Sequence, residues 1–246
     1  MSTTTIPAIF AEAPDNKRVS GNYSFIPTTR VIDDLRSFGW HPRIMSGSKD
    51  NPAAKHMIRF ARESLVGEIA RVGEVIPEIV MINSHNGSCS FNLKAGLYRA
   101  ICSNGLVVAT SVFDDIRIKH INYSLPEVSR AVEMFASGIE GVMASVEQMK
   151  RSFLSSPARE KFAEEAVRLR WVHASVPIDL TRLLRPRRAE DEENSLWNVM
   201  NILQEKLLNG NVYDIRGRRM RGLTQVDSVV RFNQELYSLA MTYAKN

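Results

Sequence analysis

Ile82-Asn83-Ser84-His85-Asn86-Gly87-Ser88-Cys89, followed by Leu93-Lys94-Ala95-Gly96-Leu97-Tyr98-Arg99-Ala100-Ile101-Cys102-Ser103-Asn104-Gly105-Leu106-Val107-Val108, is the stretch whose reading decides the fold. Asn-Gly supplies the positive φ that a two-residue hairpin turn needs, and two such dipeptides occur here, Asn86-Gly87 and Asn104-Gly105. Between them, Ser90 to Cys102 reads in two ways. As a strand it places Phe91, Leu93, Ala95, Leu97 and Ile101 on one face, with Arg99 as the charged exception, and Asn92, Lys94, Tyr98 and Cys102 on the other. As a helix it aligns Leu93, Leu97 and Ile101 but puts Gly96 in the interior, at about 1 kcal/mol relative to Ala. The Asn104-Gly105 turn and the returning run Leu106 to Val112 favour the strand, and hence a long β-hairpin.

Upstream of the hairpin, Ile76 to Asn83 is a short, β-branched apolar run that reads as a sheet strand, and Met57 to Arg62 alternates as another. Thr28 to Gly39 reads as a capped helix, with hydroxyl residues at its start, Val31, Leu35 and Phe38 on one face, and Gly39 at its end. Residues 1–24 have no periodicity, the composition of a flexible N-terminal arm. Downstream, the period changes from two to between three and four. Val128, Val132, Phe135, Ile139, Val142, Val146 and Met149 form a stripe on a helix from Leu125 to about Leu154. Further helices are expected over about Ala158–Trp171, Ser195–Leu208 and Val226–Tyr243. The expectation is an α+β fold: residues 25–246 as a single domain, with an antiparallel sheet in 25–122 and a helical half in 123–246.

Composition narrows the class. The 246 residues are 44% hydrophobic and 24% charged, average for a globular protein, so disorder is not the default. No run of eighteen apolar residues occurs, and the start has neither a basic nor an apolar leader region, which reads as a cytoplasmic protein with no membrane role. Cys89 and Cys102 are the only cysteines and read as buried thiols. A zinc site can be drawn through His85, Cys89, Cys102 and His120, but the spacing fits no regular pattern. Asp114-Asp115 with His120 raises two-metal nuclease chemistry, although such a pair more commonly opens a loop. No phosphate-binding, dinucleotide or nucleophile-elbow motif is present, so the reading carries no enzyme, no cofactor and no metal.

The formal net charge is +5, and its distribution matters more than its size. Arg216, Arg218, Arg219 and Arg221 lie within six residues, with Gly217 among them and Gly222 after them, which suggests a loop or hairpin tip. Guanidinium forks match phosphate oxygens, so this cluster reads either as a polyanion site or as a solvated loop paired with Asp214, Asp227 or Glu235. Lys94, Arg99 and Lys119, with Arg117, extend the candidate surface along the hairpin and its exit. A second cluster, Arg185 to Arg188, is followed by Glu190 to Glu193, which reads as local neutralisation. Trp40, Tyr98 and Tyr123 are either core rings or platforms for unpaired bases.

The motif Asn83-Ser84-His85-x-Gly87-Ser88, with Gly96-Leu97-x-Arg99-x-x-Cys102-Ser103-Asn104-Gly105-Leu106-Val107-Val108, resembles the signature of a bacterial family called domain of unknown function 932, found in phages, prophages and plasmids. The likeness runs from about Ile32 to Tyr243 and takes in Leu196-Trp197-Asn198 and Leu203 to Leu207. It implies a mobile-element context and no activity. The order of helix, strands, long hairpin and long helix is also similar in layout to the core of single-strand annealing recombination proteins. The functional expectation is a non-enzymatic protein that binds, and as a homo-oligomer anneals, single-stranded DNA. The alternative is an accessory or anti-defence factor that binds a host or phage protein through the Val128–Met149 stripe.

Overall fold

The computed structural model describes residues 6–15, 17–20, 23–62, 75–99, 105–107, 117–118, 124–171 and 177–245. The chain is α+β, with the sheet in its first half and a helical second half. Its contacts group into two compact units, residues 1–139 and 140–246, with the boundary inside one long helix.

The first unit holds helix α1 (Thr28–Ser37) and strands β1 (Trp40–Gly47), β2 (His56–Arg62), β3 (Val75–Asn83), β4 (Phe91–Arg99), β5 (Gly105–Val107) and β6 (Arg117–Ile118). The sheet order is β1-β2-β3-β4-β5, with β6 also paired to β4, and every pairing is antiparallel. Register puts Ile58, Met81 and Leu93 in one row and Phe60, Ile79 and Ala95 in the next, all buried on one face. All nine β3 residues are buried, which explains why that segment reads as a continuous apolar run rather than an alternating one. Its charged member, Glu78, is held by Arg59 of β2 (Nε to Oε2, 2.6 Å) and by Arg43 of β1 at 3.9 Å. Burial pushes the Glu78 carboxyl up, and the Arg59 guanidinium opposes it.

Asn86-Gly87 does not make the two-residue turn its sequence signals, and Asn104 lies outside the described residues. Asn86-Gly87 lies within the longer connection between β3 and β4, where Gly87 takes φ +70°. Gly105 is a strand residue opposite Tyr98. The hairpin itself is present, with Phe91, Leu93, Ala95, Leu97 and Arg99 buried along one side of β4.

Asn83, Ser84 and His85, the core of the sequence motif, form a buried clasp. His56 Nδ1–H donates to the Ala54 carbonyl (3.0 Å), which leaves its Nε2 to accept from the Thr28 hydroxyl at 2.7 Å. His85 Nε2–H donates to the Ala8 carbonyl at 2.8 Å, and Asn83 Nδ2 donates to the Ile26 carbonyl at 3.3 Å. Burial lowers His56 to about 4, so its ring is neutral at pH 7. Thr28 therefore does not cap α1 with its side chain; Pro27 stands at the N-cap and the hydroxyl goes to the clasp. Composition suggested a loose arm at the N-terminus, but Ile6, Ala8 and Ile9 are buried, and Asp15 N–H donates to the His85 carbonyl. Trp40 is a core ring, 3% exposed and edge-on to Phe135.

The long helix α2 (Leu125–Arg151) crosses the boundary, and α3 (Ser156–Arg168), the short α4 (Leu180–Leu184), α5 (Leu196–Asn209) and α6 (Val226–Ala244) complete the second unit. Ser155 and Ser195 cap α3 and α5 through their hydroxyls, and Gly210, at φ +72°, closes α5 in the left-handed conformation. None of the described helices is long and apolar enough to cross a membrane.

Candidate nucleic-acid interface

Helix α5 is buried from Leu196 to Leu207, so its polar residues must find partners inside the protein. Asn198 donates to the Glu190 carbonyl, Asn201 to the Trp197 carbonyl, and Gln204 to Asn233 of α6. The last two polar positions organise a basic loop. Glu205 accepts from Arg187 (2.7 Å) and Arg188 (2.6 Å). Lys206 donates to the carbonyls of Arg182, Leu183 and Arg185 at 2.8, 2.9 and 2.5 Å, and so caps the C-terminal end of α4. Lys206 is 6% exposed. Burial lowers its ammonium to about 8, with Glu205 opposing and Arg187, Arg185 and Arg182 adding to the fall.

The arginine-rich segment is a hairpin tip. Gly217 N–H donates to the Asp214 carbonyl (2.9 Å) and Asp214 N–H to the Arg218 carbonyl (3.0 Å), while Tyr213 and Arg219 form an antiparallel bridge. Asp in the first turn position and Gly217 at φ +80° in the fourth are the pattern of a type I turn closed by a glycine bulge. The Asp214 carboxylate is 6% exposed and accepts from the backbone N–H groups of Arg216 (2.9 Å) and Arg218 (2.8 Å). It thus holds the backbone of the tip and pairs with no guanidinium there. Below the tip, Met220 N–H donates to the Val212 carbonyl, and Leu223 N–H to the Leu208 carbonyl. Arg170 reaches the carbonyls of Leu207 and Arg221 from α3's end and ties α5 to the hairpin, and burial lowers its pKa.

These two pieces face each other across a cleft of about 340 Å³ lined by Arg182, Arg185, Pro186, Arg187, Lys206, Asn211 and Tyr213. Arg182 stacks on the Tyr213 ring with its guanidinium carbon 3.3 Å from the centroid, a cation–π contact that sets the guanidinium at the rim. Arg185 is exposed and also borders a second cleft beside α3, with Arg159, Glu160 and Thr181.

The expected site residues fall out unevenly. Arg216, Arg218, Arg219 and Arg221 are all exposed. Arg219 is used by the fold, donating to the Gly210 carbonyl (2.8 Å) and to Asn211 (3.3 Å). No ion pair to an acidic side chain is formed by Arg182, Arg185, Arg216, Arg218 or Arg221 among the described residues. Arg99 is only 5% exposed and belongs to the core of the first unit, which removes it from a binding surface. Lys94 is half-buried on β4, and Lys119 lies outside the described residues, as do Cys102, Asp114, Asp115, His120 and Tyr123. Among the described residues no group of three or more His, Cys, Asp or Glu side chains is placed to hold a metal.

The Arg185–Arg188 cluster is neutralised mainly by Glu205, with Asp191 on Arg188 at 3.4 Å, rather than by the acidic run as a whole. Arg185 keeps its charge. Arg182, Lys206, Asn211 and Tyr213 were not legible as site residues, because five-residue α4 is too short to show a helical period and Lys206, directly after Gln204 and Glu205, reads as an ordinary solvent-facing helix lysine.

Comparison with known proteins places these units in a family. The model described as "Domain of unknown function (DUF932)" matches residues 17–236. The chain is similar to the UPF0380 protein YfjQ of Escherichia coli (strain K12), 30% identical over 96% of this chain and 88% of the relative. It is likewise 30% identical to the UPF0380 protein YafZ of the same organism, over 96% of this chain and 87% of the relative. No solved structure matches.

Proposed function

We propose that this chain, which belongs to the DUF932 family, is a non-enzymatic nucleic-acid-binding protein that holds single-stranded DNA along the arginine-bordered cleft of residues 140–246. The observation that carries this reading is a cleft bordered by Arg182, Arg185 and Arg187 that shares Tyr213 with the hairpin whose tip carries three further exposed arginines. Arg182 and Arg185 line the cleft with Asn211 and Tyr213, and Tyr213 pairs with Arg219 at the base of the tip that presents Arg216 and Arg218, with Arg221 just below it. Nearby carboxylates are committed elsewhere: Glu205 to Arg187 and Arg188, and Asp214 to backbone N–H groups. Exposed guanidinium groups on this surface outnumber the carboxylates paired with them, the charge balance that favours phosphate binding. Neutralising phosphates lowers the repulsion between complementary strands, so annealing by several bound copies is the activity such binding would serve.

The protein-binding alternative relied on the apolar stripe of α2. Val128, Val132, Phe135, Val142, Val146 and Met149 are buried and Ile139 is half-buried, which disfavours that stripe as a docking surface.

The test is retention of labelled single-stranded and duplex DNA by the protein and two variants, Arg216/Arg218/Arg221→Ala and Arg182/Arg185→Ala. Preferential single-strand binding weakened in both variants supports one continuous surface. Binding untouched by either variant removes the cleft from the account.

A further inference from the structure

Ile215 occupies the second position of the turn at the hairpin tip and is 64% exposed. Asp214 and Gly217 are sufficient to form the turn: the first supplies the carboxylate that accepts from Arg216 and Arg218, the second the positive φ. No feature of the turn calls for an apolar, β-branched side chain at 215, and such residues are poor turn formers. The backbone there is nonetheless fixed, since Ile215 N–H donates to the Pro177 carbonyl at 3.0 Å. The result is a rigidly presented aliphatic group in water, followed in sequence by two exposed guanidinium groups without carboxylate partners, Arg216 and Arg218.

In duplex DNA, apolar wedges presented beside basic side chains enter a base step and unstack it while the charges hold the flanking phosphates. We propose that Ile215 is a wedge that inserts between adjacent bases of the bound single strand, with Arg216 and Arg218 holding the backbone beside it. This inference rests on the nucleic-acid reading above and adds a unique consequence, a local loss of base stacking at the tip. Bases held apart in this way expose their pairing edges, which is what a strand needs before it meets its complement.

The experiment uses the full chain and a single-stranded oligonucleotide carrying 2-aminopurine, whose fluorescence rises when it unstacks, with binding followed separately by anisotropy of an end label. The wild-type protein is expected to raise the 2-aminopurine signal on binding. Ile215→Ala, an exposed change that leaves Asp214 and Gly217 in place, is expected to bind but lose most of that rise, and Ile215→Leu to keep it. A full rise with Ile215→Ala, or wild-type binding without any rise, overturns the wedge while leaving phosphate binding intact. No wild-type binding at low salt overturns the nucleic-acid reading itself. Sedimentation with phosphatidylserine vesicles in preference to the oligonucleotide would assign the apolar tip to a membrane surface and also overturn the wedge.

Discussion

Replacing Asp214 by Ala removes a negative charge from the cationic surface, and the sign of its effect on DNA binding separates two accounts. If only charge matters, losing one anion about 8 Å from a phosphate at the dielectric of water favours binding by about 0.5 kcal/mol, roughly a twofold gain. The structure argues for a loss. One carboxylate oxygen of Asp214 accepts from both Arg216 N–H and Arg218 N–H, and these bonds hold the tip in the conformation that presents its guanidinium groups. Without them the tip loosens, and ordering two residues again on binding costs about 2 kcal/mol. Set against the electrostatic gain, about 1.5 kcal/mol remains, close to tenfold weaker affinity. The carboxylate's two charge-assisted bonds should also cost about 2–3 kcal/mol of stability. Asp214→Asn keeps an oxygen acceptor and should lose about half as much of each. Urea unfolding and DNA anisotropy on the three proteins measure both quantities. Tighter binding by Asp214→Ala with an unchanged unfolding midpoint would refute the reasoning.

Other positions are equally exposed to test. His56 is held neutral with a pKa of about 4 and ionises near 6.5 when unfolded, so the unfolded chain takes up the proton first. Stability is thus full above pH 6.5 and should fall by roughly 3 kcal/mol as pH drops towards 4, with His56→Gln flattening that slope in urea titrations. Gly210 has φ +72°, and a Cβ there would lie 2.5 Å from the Gly222 nitrogen and 2.8 Å from the Met220 carbonyl oxygen. Gly210→Ala should therefore cost about 2–4 kcal/mol by thermal unfolding, and a wild-type melting temperature would contradict the close packing of α5's end on the hairpin. Glu78→Ala removes the 2.6 Å carboxylate partner of the Arg59 guanidinium, itself 4% exposed, and should cost about 3–5 kcal/mol. A loss below 1 kcal/mol would mean that water or another acid reaches Arg59.

What could be read from the sequence was what depends on local pattern. The change from period two to period 3.6 located the sheet and the helices, and Ser195 and Gly210 marked the ends of α5 because their roles are local. The hairpin was visible in the odd positions Phe91 to Leu97, whose common face is buried. The Asn86-Gly87 turn was misread because Asn-Gly states what conformation a dipeptide tolerates, whereas the length of a connection is decided by where the flanking strands β3 and β4 stop pairing. Thr28 looked like a cap because its competing partners, His56 and His85, lie 28 and 57 residues away. The site was half legible for the same reason. Four arginines in six residues announce themselves, but which of them is available depends on carbonyls and carboxylates distant in sequence. Arg219 is committed to the end of α5, and Arg185 is left free because Glu205 takes its neighbours.

The most direct test of the central claim is the dependence of single-stranded DNA affinity on salt, with Arg216/Arg218/Arg221→Ala measured beside the wild type. Five guanidinium contacts, from Arg182, Arg185, Arg216, Arg218 and Arg221, give a wild-type slope of log Kobs on log salt of about −3.5, at about −0.7 per phosphate. Losing the three on the hairpin should make that slope shallower by about 2, with weaker binding at every salt concentration. Equal slopes for the two proteins, or no binding by the wild type at low salt, would contradict the account.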